Sequence, residues 1–346
     1  MRIRTKVRRL MMFAALLLAC HERTSVTFAT QPAPPPRKRA LLIGIDDYSA
    51  SRLKKRAEWQ PVPQRVLPSL RGAATDVALV REMLTARYGF EEGGIVTLTN
   101  QQATREAIVA AIENVLIAPA RKDDVLLFYY AGHGSQVDNS ASSEPDGRDE
   151  SIVPADSRLG ATDIRDKQLA VLFNRVLDKQ ARLTLIFDSC HSGSVARALT
   201  TDERVRSVLP DPRDVHDASE PPEPEARGAL VLSASKDFAR AFETEDEQGR
   251  PHGVFSWALL HAMRSADRGE AASDTFLRAQ ALMRADSPYQ DPVMSGDATA
   301  RLTPFLSDDT SRAADSAIAV ERVADDGTVI LQGGWAHGLT LGTVLR

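Results

Sequence analysis

From residue 40 onward the chain alternates short apolar runs with stretches in which apolar positions recur every three or four residues. The runs at 40–45, 95–99, 124–130, 183–187 and 229–233 predict strands. The third is apolar nearly throughout, the pattern of a strand covered on both faces. The periodic stretches predict helices at 72–88, 104–116, 166–179, 254–264 and 275–285. In the first, Val77, Val80, Met83 and Leu84 share a face; in the second, Thr104 is placed as the cap, with Ile108, Ile112 and Val115 turned inward. Strands alternating with helices predict an α/β domain, a mostly parallel sheet with helices on both faces.

Two segments depart from this rhythm. Residues 197–228 are rich in Asp, Glu, Pro and Arg with little apolar content, which predicts a long exposed loop. Beyond residue 306 the chain turns polar and then gives β-like runs at 317–323 and 328–331, ending in a further hairpin pattern at 338–346. We read 315–346 as a small, incomplete β module.

The first thirty residues are of another kind. Arg2, Arg4, Lys6, Arg8 and Arg9 precede an apolar run over 10–20, too short to span a bilayer and suited to a signal-peptide core, with a cleavage point near Ala29. Leu17-Leu18-Ala19-Cys20 also resembles a lipoprotein box, so the expected destination is periplasmic or extracellular, with membrane attachment only through Cys20. A Pro-rich linker at 31–38 follows, and the domain proper is expected over 39–305. The 346 residues have an ordinary composition, and a net charge of −4 gives no footprint for nucleic acid. We expect a monomer acting on proteins or peptides, with no cofactor and no metal.

There are two cysteines, and Cys20 falls in the leader, so the mature domain keeps Cys190 alone. Such a thiol is either buried and inert or kept for chemistry. Its surroundings favour chemistry. The third strand runs into Tyr130-Ala131-Gly132-His133-Gly134 and the fourth into Asp188-Ser189-Cys190-His191-Ser192-Gly193. Sites in open parallel sheets form beyond the carboxyl ends of strands. If these two strands are neighbours, an imidazole and a thiol face one crevice, and the imidazole can activate a thiol that is mostly protonated at neutral pH. His191 is a weaker candidate base, because adjacent residues seldom point their reacting atoms at each other.

With Ala40-Leu41-Leu42-Ile43-Gly44-Ile45 and Leu70-Arg71-Gly72-Ala73-Ala74-Thr75-Asp76, these blocks resemble, in order, those of bacterial and metacaspase-type caspase-like cysteine peptidases. The histidine lies roughly 50 residues before the cysteine, as in caspases. The resemblance covers about residues 38–305 and implies a caspase–hemoglobinase fold and a Cys190–His133 dyad. It also implies an oxyanion site from the backbone N–H groups of Gly134 and Cys190. Asp76 and Asp188 match positions that select Arg or Lys before the cut bond, and two carboxylates suit a guanidinium. Residues 228–235 and 251–256 match the small-subunit region. Arg204, Arg206, Arg213 and Arg227 in the intervening loop are expected sites of self-cleavage.

Many metacaspases need calcium. Asp149 and Asp166 match members of the acidic cluster, but Lys167 and Arg197 stand where further acids would be, and basic residues repel a cation. We expect no calcium requirement, and read Glu144, Asp146, Asp149 and Glu150 as a solvated acidic loop. Two other readings remain at this stage. One is a catalytically silent scaffold of the same fold, the other a legumain-like or separase-like relative with a different pocket.

Overall fold

The computed structural model describes residues 35–49, 67–139, 146–157, 159–190, 205–209, 220–235, 240–267, 269–287, 289–308, 320–324 and 326–331. The leader, His191, Arg197, Glu144 and the hairpin pattern at 338–346 lie outside them.

Thirteen strands are present among the described residues. They are β1 (Lys38–Gly44), β2 (Ile95–Thr99), β3 (Val125–Ala131), β4 (Gly134–Asp138), β5 (Arg148–Ile152), β6 (Ile164–Arg165), β7 (Arg182–Asp188), β8 (Leu230–Ser233), β9 (Glu243–Glu245), β10 (Pro251–Gly253), β11 (Val293–Ser295), β12 (Val320–Val323) and β13 (Val329–Leu331). The α-helices are α1 (Ala73–Arg87), α2 (Arg105–Ala111), α3 (Asp166–Leu177), α4 (Val254–Ser265), α5 (Ala272–Asp286) and α6 (Ala298–Leu302).

The main sheet has the order β11-β8-β7-β3-β1-β2. Its pairs are parallel except β11 with β8. Every residue of β3 is buried, as its apolar run predicts for a strand covered on both faces. Alternate side chains enter two apolar layers. One lies with α1, α4 and α5 and contains Leu42, Tyr129, Val77, Leu84, Phe255, Leu259 and Phe276. The other lies with α2 and α3 and contains Leu41, Phe128, Ile108, Ile112, Leu116 and Phe173. This is the α/β architecture expected.

Local differences have local causes. Thr104 Oγ1 accepts the Ala107 N–H at 3.2 Å, which starts α2 as expected. The helix then widens into one π turn, Ile112–Ile117, which buries Val115, Leu116 and Ile117 together. The polar stretch after β3 forms an antiparallel sheet, β4-β5-β6, that periodicity did not reveal. The described part of 315–346 is one antiparallel hairpin, β12 with β13.

One expectation needs correction. The composition of residues 197–228 predicts an exposed loop, yet within it Val205, Arg206, Ser207 and Val208 are buried, and Arg206 is 0% exposed. The Arg206 backbone, the Val208 N–H and the terminal guanidinium nitrogens find partners across the carboxyl edge of the sheet, and those partners replace the water that composition alone would assign to them.

Candidate active site

Ala131 on β3 and Asp188 on β7 are register partners. His133 and Cys190, each two residues further on, therefore leave adjacent strands at the same level, and both are fully buried. The His133 ring is fixed by Pro68, whose carbonyl oxygen lies 2.7 Å from Nε2. A carbonyl only accepts, so Nε2 carries the hydrogen and Nδ1 is the basic nitrogen of the neutral ring. Two tyrosines pin the backbone. The His133 N–H donates to the Tyr48 hydroxyl at 2.9 Å, and the Tyr130 hydroxyl donates to the His133 carbonyl at 2.7 Å. Burial pushes both phenols up, so they remain protonated donors. Burial also pushes the Cys190 thiol up, against the Ala241 backbone amide and the Ser207 side chain, which favour the thiolate.

Across these residues runs the chain's own segment 205–208. The N–H groups of Gly134 and Cys190 both donate to the Arg206 carbonyl oxygen, at 3.0 and 3.1 Å. The Arg206 N–H donates to Ala241 O at 2.9 Å, and the Val208 N–H to Gly134 O at 2.9 Å. β-Bridges join Val205 to Phe242 and Ser207 to Gly134. An extended peptide thus lies over the strand ends with one carbonyl between two convergent amides.

The Arg206 side chain fills a pocket of carboxylates. Nη2 is 3.0 Å from Asp76 Oδ2 and Nη1 is 3.0 Å from Asp188 Oδ2, all three side chains being fully buried. Glu243 adds a third carboxylate, 3.3 Å from Nη2. Charge-assisted bonds to both terminal nitrogens suit a guanidinium better than a single ammonium. The acids are themselves held. Asp76 accepts the Gly253 N–H at 2.9 Å and faces His252 Nδ1 at 3.1 Å. Asp188 accepts the Ser256 N–H and hydroxyl. Glu243 accepts the N–H groups of Arg71 and Gly72 at the start of α1. Position 253 must be glycine, because a Cβ there would lie 2.1 Å from Asp188 Oδ2 and 2.6 Å from Arg206 Nη1.

Burial pushes Asp76 up to about 6, although His252, Arg206 and the Gly253 amide favour its charge. Burial acts against a charge on His252, but the carboxylates of Asp76 and Asp246 outweigh it and push its pKa up.

The structure thus brings His133, Cys190, Gly134, Asp76 and Asp188 to one crevice. Sequence reasoning gave no individual role to Tyr48, Tyr130, Glu243, Ser256 or His252. His252 and Ser256 sit inside the matched block at 251–256, which could have flagged them. Glu243 carries no local signal beyond being an acid in a polar stretch.

The matched acidic positions do not fit calcium. Asp149 is bound by Arg165 at 3.0 Å and by Asn139. The Lys167 ammonium is 3.2, 3.3 and 3.7 Å from Asp166, Glu223 and Glu220. Burial pushes Asp166 up to about 7, against the pull of Lys167. These carboxylates already hold cationic side chains, which would repel the ion. Asp146 accepts from Gln136 and the Arg148 N–H. Among the described residues no group of three or more His, Cys, Asp or Glu could hold a metal ion.

The sequence profile of the metacaspase, peptidase C14 domain matches residues 38–198. Metacaspase-1 of Mycosarcoma maydis is 31% identical over 229 residues, 64% of this chain and 48% of that protein. Metacaspase-1A of Neurospora crassa is 37% identical over 165 residues, 46% of this chain and 32% of that one. The chain thus spans less than half the length of these relatives. A crystal structure of a Geobacter sulfurreducens protein superposes with a TM-score of 0.55 at 22% identity, covering 79% of this chain and 99% of that one, which is a likeness of fold. By sequence, residues 38–198 are thus similar to a metacaspase, peptidase C14 domain.

Proposed function

We propose that this chain is a cysteine endopeptidase that cuts after arginine, and that the Arg206–Ser207 bond is bound in its site as substrate. One observation carries the reading: the Arg206 guanidinium lies between Asp76 and Asp188 while its carbonyl oxygen accepts from Gly134 and Cys190. A silent scaffold would need no carbonyl aimed at convergent amides beside a thiol.

In this mechanism His133 Nδ1 takes the Cys190 proton as sulfur bonds to the Arg206 carbonyl carbon. The N–H groups of Gly134 and Cys190 stabilise the oxyanion. The C–N bond to Ser207 then breaks, and His133 returns its proton to the departing amine. Water, deprotonated by His133, attacks the thioester and releases the Arg206 carboxylate and the thiol. Pro68 sets the tautomer this requires, and the tyrosine clamp holds the ring in place.

The test is a peptide panel differing only in the residue before the cut bond. Arg is expected to exceed Lys, with Asp a poor substrate because buried carboxylates repel it. Rates should be unchanged by a calcium chelator, and Cys190→Ala should abolish them. A wild-type preference for Asp, or turnover by Cys190→Ala, would overturn the reading.

A pH profile follows from Asp76. With Arg206 seated, burial pushes its carboxyl up to about 6. The ratio kcat/KM reports groups of the free enzyme. Hydrolysis after Arg therefore needs the Asp76 carboxylate charged, and falls as pH drops through its pKa in the free site. In Asp76→Asn that limb should vanish from the residual activity. An unchanged limb would assign the titration elsewhere.

A further inference from the structure

We propose that the site also selects its substrates beyond the cut bond, taking an aliphatic residue at the second position after it. The proposal rests on reading 205–208 as bound substrate, and Val208 then marks that position. Its backbone is held at both ends. The Val208 N–H donates to Gly134 O at 2.9 Å, and the Ser135 hydroxyl donates to Val208 O at 3.2 Å. These bonds would hold any residue there and supply register without selection. Selection comes from the side chain. Val208 is 4% exposed and belongs to the apolar layer that contains Ile152, Val153, Phe128 and Phe173.

Val205, on the other side of Arg206, belongs to the opposite layer, with Cys190 and Ala241. The bound segment therefore crosses the carboxyl edge of the sheet with one valine set into each face. Arg206 lies between them in its polar pocket, and Ser207, next to the cut bond, is buried as well. Recognition in this arrangement has two separate parts, a charged socket before the bond and an apolar seat after it. Removing the valine side chain forfeits the transfer of its apolar surface from water, and a carboxylate placed there has to be desolvated without a partner.

The experiment uses the wild-type chain and internally quenched peptides carrying Val205 to Leu209, varied only at the position of Val208 to Ile, Gly or Asp. The cut is located by mass spectrometry. Val and Ile are expected to give kcat/KM about 10- to 100-fold above Gly, with Asp lower still. Cleavage after Arg at equal rates for Val, Gly and Asp would overturn this proposal and leave the peptidase reading intact. No hydrolysis of any peptide would overturn both.

Discussion

Purified wild-type chain is expected to cut itself once between Arg206 and Ser207, leaving two pieces held together without a covalent bond, while Cys190→Ala stays whole. Among the described residues, the bound geometry points to this bond. Arg206 alone is described with its guanidinium between two buried carboxylates and its carbonyl on two amides. The pieces should remain associated because β7 and β8, on either side of the cut, are parallel neighbours in the main sheet. Mass spectrometry should find a new amino terminus at Ser207. Arg206→Gln should abolish this product, because the substitution removes the guanidinium that pairs with all three acids. Appearance of the same terminus in Cys190→Ala would assign the cut to another protease.

The second large effect is expected from the pocket. Asp76→Ala and Asp188→Ala should each lower kcat/KM for Arg peptides by roughly 30- to several-thousand-fold, the range for truncating one partner of a buried, hydrogen-bonded charge pair. Asp188 also holds Ser256 and Asp76 also holds Gly253, so a loss of folding has to be separated from a loss of recognition. Asp76→Asn and Asp188→Asn keep the shape and much of the hydrogen bonding while removing charge. They should retain the thermal transition and still lose Arg hydrolysis. If both kept the preference for Arg, the pocket assignment would fail even with the dyad intact.

The central strands were legible because β1 and β3 are buried on both faces and so read as unbroken apolar runs. His133 and Cys190 were legible because they follow such strands within short, glycine-flanked blocks. The pocket was legible only in part. Asp76 and Asp188 could be matched to a family pattern, whereas Glu243 and His252 act through contacts across the chain. The Asp76–Arg206 pair spans 130 positions, and no window of sequence contains both partners. Residues 205–208 were misread for the same reason. An arginine and a serine in a run of acids and prolines look solvated, and their burial depends on amides and carboxylates contributed by distant strands. Local composition describes what a segment would do alone, and this one is not alone.

The placement of Arg206 also bears on the order of events. A segment of the same chain competes with outside peptides at an effective concentration on the order of millimolar. An outside peptide has to exceed that concentration, or bind far more tightly, before it gains the pocket of an uncut chain. The first cut should therefore be unimolecular, with a half-time independent of enzyme dilution, and turnover of added peptide should begin only after a lag of that same length.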